Sequence, residues 1–239
     1  MSGARKTRAP AGGTRTEGPA EPVLVRAIYE RFPITIKGAF VLRGADPNPH
    51  TARIISAVIA RIPSGPERPI AAPSTEMDVA PKRDLFLPFE ASIGDLEPGW
   101  YEVRSRVRVD GSRLQEQSGK PFSVAWPRSA VRTGTIPVGK DLRVERRTIS
   151  VDRVELRTDR AEVHWRADDP PGAGTAPELR LSAGRAALPA LPPTAAGGAD
   201  ARGGRRRAVF YPVPRGATSL VLEISVGGRG TKHLTLPLN

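Results

Sequence analysis

The chain is written in short alternating stretches of apolar and polar residues. Over residues 101–109, Tyr101, Val103, Ser105, Val107 and Val109 fall on one side, and Glu102, Arg104, Arg106 and Arg108 on the other. Strand side chains point to opposite faces with period two, whereas an amphipathic helix needs apolar residues three and four apart; the pattern predicts a half-buried strand. Asp110-Gly111 follows, a dipeptide suited to the positive φ angles of a tight hairpin. Ala161, Val163, Trp165 and Ala167 alternate in the same way with Glu162, His164 and Arg166. Residues 23–32 and 34–42 predict two strands broken at Pro33. Residues 52–62 are almost continuously apolar, and their β-branched side chains favour a strand over a short helix. Shorter strands are expected at 85–89 and 122–126, then at 148–156, 178–182 and in three closing stretches from Arg205 onward. The Pro-rich stretch 63–73 suits an edge or a loop. No helix of ordinary length is predicted.

Immediately before the first of these strands stands Leu96-Glu97-Pro98-Gly99-Trp100-Tyr101-Glu102-Val103. The pattern Leu-x-Pro-Gly-x-Tyr-x-Val resembles the tyrosine corner of immunoglobulin-like and fibronectin-type sandwiches. There a tyrosine near the start of a late strand hydrogen-bonds back to the preceding turn. The resemblance implies an architecture and no activity, because that fold hosts many unrelated functions.

Composition agrees with many turns and short strands. The 239 residues include 24 Gly and 25 Pro, and only 5% are aromatic, which leaves a lean core. The expected fold is all-β: two tandem immunoglobulin-like β-sandwich domains behind a disordered N-terminal tail. The tail is residues 1–21, basic and without periodic apolar positions. The first sandwich covers 22–127, a linker 128–141, and the second sandwich 142–239, with a flexible Ala/Pro/Gly loop at 184–204. The N-terminal stretch has no apolar core of a secretory signal, so a cytoplasmic location is expected. Cysteine is absent, which removes disulfides, thiol nucleophiles and thiolate metal ligands.

The formal net charge is +12. A basic balance suits nucleic acid, an anionic surface or an acidic partner. Its Arg-over-Lys bias, with abundant Ala, Gly and Pro, is also what a GC-rich bacterial genome imposes on any protein. Arg104, Arg106 and Arg108 on one strand face, and Arg205, Arg206 and Arg207 before another strand, are the candidate binding residues. Single-strand nucleic-acid binders interleave such cations with stacking aromatics, and these rows have none, so solvated faces are the favoured reading.

Catalytic patterns are missing. His50 follows Pro49 in a loop, His164 points away from the expected core, and His233 lies in the last strand; none has a second histidine at ligand spacing. Residues 134–141, GTIPVGKD, nearly match a phosphate-binding loop. Asp141 replaces the required hydroxyl, Pro137 removes an N–H, and a strand pattern follows, so an inter-domain turn is expected. Asp168-Asp169 before Pro170 reads as a turn cap. The expectation is a non-catalytic protein with no cofactor and no metal: a scaffold or adaptor whose partner is another protein. The alternatives are a module binding nucleic acid or an acidic polymer on its Arg-lined faces, and a structural subunit of a phage-like contractile assembly.

Overall fold

The computed structural model describes residues 21–111, 113–168, 176–192 and 205–238. Among them are seventeen strands and no helix, so no helix is long and apolar enough to cross a membrane. In the N-terminal half run β1 (Val23–Arg31), β2 (Thr35–Gly44), β3 (His50–Ile62), β4 (Glu67–Pro69), β5 (Met77–Val79), β6 (Asp84–Ser92), β7 (Gly99–Val109), β8 (Arg113–Ser118) and β9 (Phe122–Val124). The C-terminal half holds β10 (Gly134–Val144), β11 (Arg147–Leu156), β12 (Ala161–Asp168), β13 (Pro177–Ala183), β14 (Ala186–Leu188), β15 (Arg205–Phe210), β16 (Ser219–Val226) and β17 (Arg229–Pro237).

Four antiparallel sheets result. One is β1-β2-β6, and a second is β4-β3-β7-β8 with β5 joined to β3 and β9 to β7. The others are β10-β11-β12-β15 and β14-β13-β16-β17. The first two sheets contribute to one hydrophobic cluster, which includes Val25, Phe40, Leu42, Ile54, Phe89, Tyr101 and Val107. The last two share another, which includes Ile149, Val163, Trp165, Leu181, Phe210 and Leu222. Burying these side chains, at about 2 kcal/mol each, is the main drive for folding.

The opening strand behaves as its alternation dictates. Val103, Val107 and Val109 are buried, while Arg106 and Arg108 are exposed. Asp110 and Gly111 take φ of 49° and 71°, the paired positive angles of the hairpin. The Tyr101 hydroxyl donates to the Glu97 carbonyl at 2.8 Å, the bond back to the turn that the tyrosine-corner resemblance implies.

Two stretches differ from expectation. Residues 134–141, expected as linker, form most of β10, paired with β11 from Gly134↔Leu156 to Val144↔Arg147. Pro137 and Gly139 disguised it; both are tolerated because β10 is an edge strand, and the register shifts between Pro137 and Lys140. Within the expected loop 184–204, residues 186–188 are β14, paired with β13, and Leu188 and Leu191 are buried; residues 193–204 lie outside the described residues. Of the expected disordered tail, residues 1–20 also lie outside them. The Arg205–Arg207 run opens β15, the first of the closing strands expected from Arg205 onward.

The two halves meet through a third, small cluster: Ile62 and Trp100 from one, Leu191 and Val209 from the other, with Trp126 and Tyr211 packed against it. The Trp100 indole Nε1 donates to the Asp159 carbonyl at 2.6 Å, and the Ser123 hydroxyl donates to the Asp159 carboxylate at 3.1 Å. The Tyr211 hydroxyl donates to the Ile62 carbonyl. Trp126 and Tyr211 meet edge to face at 5.4 Å.

Candidate functional site

The outer face of β1-β2-β6 is set by strand alternation. Val23, Val25 and Ala27 of β1 turn into the core, which leaves Leu24, Arg26, Ile28 and Glu30 outside. On β2, Ile36, Phe40 and Leu42 turn in, leaving Lys37, Ala39, Val41 and Arg43 outside; on β6, Leu87 and Phe89 turn in, leaving Asp84, Phe86, Pro88 and Glu90 outside. Pairing then places Arg26, Val41 and Phe86 in one row and Ile28, Ala39 and Pro88 in the next. Leu24, Ile28 and Phe86 are 52%, 45% and 56% exposed, and Val41 among them is 1% exposed. Charges are set among these side chains and are paired among themselves: Arg43 and Asp84 share a row with Leu24, Arg26 stands beside Val41, and Lys37 and Glu90 lie beyond Ala39 and Pro88. Asp84 receives Arg26 at 3.6 Å and Arg43 at 3.8 Å, and Lys37 meets Glu90 at 3.1 Å.

Gly38 holds the register of this face. It sits opposite Tyr29, whose ring points into the core against Phe89 and Phe122. A Cβ at position 38 would lie 2.1 Å from the Ile28 carbonyl oxygen and 2.5 Å from the Tyr29 Cβ, so only glycine fits.

The outer face of β10-β11-β12-β15 is different. Arg153, Glu155 and Arg157 follow β11 outward, and Glu162 and His164 face them from β12, with Glu155 directly opposite Glu162 and Arg153 opposite His164. Like charges opposed across a ladder repel, so both carboxylates need cations. Glu155 receives Arg153 at 2.8 Å and Arg157 at 2.9 Å. Glu162, 1% exposed, receives Arg160 and, from β15, Arg207 at 3.2 Å. The hydrogen bonds from Arg157 and Arg153 hold the Glu155 carboxyl down at about 2. Burial pushes Glu162 upward, but the hydrogen bond from Arg160 and the charges of Arg160, Arg207 and Arg157 outweigh it, and the group sits below its usual range. His164 Nε2 is 3.3 Å from Glu155 and 3.5 Å from Glu162; desolvation, then the Arg153 charge, pushes its pKa down.

Glu155, Glu162 and His164 offer three potential ligand atoms within 4.8 Å of one another. Their chemistry does not suit a cation. Each carboxylate already carries two guanidinium groups, and a divalent ion would have to displace them in a field of four arginines. The arrangement is an ion-pair network that lies beside the joint between the halves, since Val209, opposite Glu162, belongs to the joint.

The six arginines singled out in the sequence occupy two sheets. Arg104 pairs with Glu102 at 2.6 Å and with Glu67 at 3.7 Å, and Arg106 with Glu116 at 3.5 Å. Arg108 is exposed, opposite Arg53 of β3. Strand alternation splits the second group: Arg207 turns outward to Glu162, while Arg206 lies over the Trp165 ring at 5.1 Å on the core side. The Arg205 side chain lies outside the described residues. The apolar face and Trp100 were not singled out in the sequence. A tryptophan in phase with Glu102 and Arg104 was the available signal for the joint.

No protein-family model and no curated protein matches the chain. A crystal structure of a conserved domain protein from Bacillus anthracis is similar over 93% of this chain and 89% of its own, at 10% identity and a TM-score of 0.37. At that score and identity it assigns neither family nor function.

Proposed function

We propose that the chain is a non-catalytic scaffold or adaptor, built from two immunoglobulin-like β-sandwich domains, that docks another protein on the outer face of β1-β2-β6. The reading rests on one observation: Leu24, Ile28 and Phe86 stand exposed around Val41 on a face whose sequence positions ordinarily carry polar residues. The charges of this face are self-neutralised by the Arg26–Asp84–Arg43 and Lys37–Glu90 pairs. The matching partner therefore presents an apolar strip without strong charge, and its binding tolerates salt.

The test compares capture from lysate by the wild-type chain, by Leu24→Ser/Phe86→Ser, and by Arg104→Ala/Arg106→Ala, each at low and high salt. The adaptor reading expects a protein held by the wild type at both salts, kept by the arginine variant and lost by the face variant. Equal capture by wild type and face variant, or loss at high salt alone, would overturn it. Sedimentation adds a further outcome: a wild-type dimer that Phe86→Ser turns into a monomer would put a second copy of the chain on this face in place of an adaptor partner. Phe86→Ser itself should shift folding stability by no more than about 0.5 kcal/mol, as exposed positions do.

A further inference from the structure

His50 opens β3, and its side chain is largely buried between two carboxylates from different segments. Asp46 comes from the crossover between β2 and β3, residues 45–49, and Asp110 from the β7–β8 hairpin. The ring Nε2 lies 2.8 Å from Asp46 Oδ1, and Nδ1 lies 2.9 Å from Asp110 Oδ2. An ionised carboxylate only accepts, and a neutral imidazole carries one N–H, so a neutral ring would set a lone pair against one of the two. Both carboxyls stay ionised: the hydrogen bond from His50 holds Asp46 below its usual range, and that from Thr51 N holds Asp110 below it. Both contacts are hydrogen bonds only when both ring nitrogens carry protons, so the geometry is that of an imidazolium.

The two ends of this bridge are not held alike. Asp110 is fixed by the backbone: its Oδ1 accepts from Thr51 N at 3.0 Å, and its own N donates to the Thr51 carbonyl at 3.0 Å. Besides His50, Asp46 Oδ1 accepts from Asn48 N at 2.9 Å, a bond within the same crossover. Ala45, Pro47, Asn48 and Pro49 are exposed. Strand alternation places the other charges nearby. Arg113 of β8, in line with Val109 and Ala52, lies on the same side of the sheet as His50, whereas Asp78, Arg53 and Arg108 turn to the opposite side. Lys82 adjoins the crossover, its N donating to the Gly44 carbonyl at 3.1 Å.

We infer that His50 is a proton-operated latch: charged, it ties the β2–β3 crossover to the β7–β8 hairpin, and on losing its proton it keeps the hairpin and releases the crossover. The neutral ring retains its N–H on Nδ1, toward the Asp110 that Thr51 holds in place, and turns the Nε2 lone pair on Asp46. Asp46 is repelled, and residues 45–49 lose this tie. Histidine titrates near neutral pH, and the hydrogen bonds to Asp46 and Asp110 raise its value here, so the release falls above pH 6.5. The inference is independent of the docking face.

NMR of the full chain from about pH 5 to about pH 9 tests it, with the His50 ring signals reporting its protons and backbone order parameters reporting motion. The expected ring carries protons on both nitrogens at about pH 5 and titrates with a midpoint above 6.5. As it titrates, the order parameters of Asp46 and Asn48 should fall from about 0.85 to below about 0.6, while those of Thr51 and Asp110 stay near the rigid value. Asp46→Asn should bring the midpoint down, and His50→Asn should abolish the pH response of the crossover. His164→Asn, in the other half, should leave that response intact. A midpoint at or below 6.5, a ring still charged at about pH 9, order parameters that ignore the titration, or equal loosening of crossover and hairpin would overturn the assignment.

Discussion

The outer faces of β1-β2-β6 and β10-β11-β12-β15 follow the same plan, with every second residue turned from a core, yet they carry opposite chemistry. On the first stand Leu24, Ile28 and Phe86; on the second, Arg153, Glu155, Arg157, Glu162, His164 and Arg207. The contrast extends to whole halves. All exposed large hydrophobic side chains among the described residues fall between Leu24 and Leu114. The cores differ too. Tyr29, Phe40, Phe89, Tyr101 and Phe122 interlock in the N-terminal half, whereas the C-terminal core is mostly aliphatic around Trp165 and Phe210. A sheet face can satisfy itself by cross-strand ion pairs, as the second does, and then needs no partner. The first is left with apolar area that water disfavours, and covering it is a source of binding free energy.

The strongest way to break the comparison is Gly38→Ala. The new methyl would strike the β1 backbone, which cannot retreat without unpairing β1 from β2. The expected loss is about 3 kcal/mol or more, read from chemical denaturation. A midpoint close to that of the wild type would mean that β1 and β2 do not pair in this register and that the apolar face is not assembled as described.

Glu162→Gln probes the other face. Removing its charge leaves Arg160 and Arg207 clustered beside the joint, and an expected loss of about 2 kcal/mol follows, below the usual figure for a buried pair because both arginines can turn toward solvent. Phe86→Ser, also on an outer face, should cost far less. Equal costs for the two substitutions would erase the distinction between a self-satisfied face and an unsatisfied one.

Tyr101→Phe removes one hydrogen bond to the Glu97 carbonyl from the N-terminal half, and about 1 kcal/mol is expected. An unchanged denaturation midpoint would remove the tyrosine corner from the account of this half.

The smallest expected effect is one of pH, and it has opposite signs in the two halves. His50 lies between Asp46, at 2.8 Å, and Asp110, at 2.9 Å, whose other oxygen accepts from Thr51 N. The hydrogen bonds to Asp46 and Asp110 raise its pKa above 6.5. The folded state holds that proton more tightly than the unfolded chain, so this stabilisation is complete below pH 6.5 and is lost as pH rises through the raised value. His164, facing Arg153, Glu155, Glu162 and Arg207, is pushed below 6.5, so the unfolded chain binds its proton first. Stability falls as pH drops from 6.5 toward that lowered value. Denaturation midpoints between about pH 5 and about pH 8 should therefore lose their alkaline decline in His50→Asn and flatten on the acid side in His164→Asn. The same sign in both variants would contradict the two environments.

What could be read ahead of the structure was local. Period-two alternation marked residues 101–109 and 161–167, and Asp110-Gly111 marked a hairpin. β8 escaped because its pattern is inverted: Leu114 is exposed and Gln115 buried. β10 escaped because Pro137 and Gly139 are residues of turns as well as of edge strands.

The order of residues along the chain was enough to set the all-β class, the inward and outward sides of the cleanly alternating strands, and the want of cysteine chemistry. Each depends on near neighbours, on the two-residue period of a strand or on composition. The folded arrangement was needed to see that Arg207 neutralises Glu162 from 45 residues away, that Trp100 packs into the joint, and that Leu24, Ile28 and Phe86 share one exposed face. Those are matters of strand order and register, which depend on pairings between segments far apart in the chain and leave no periodicity for the sequence to carry.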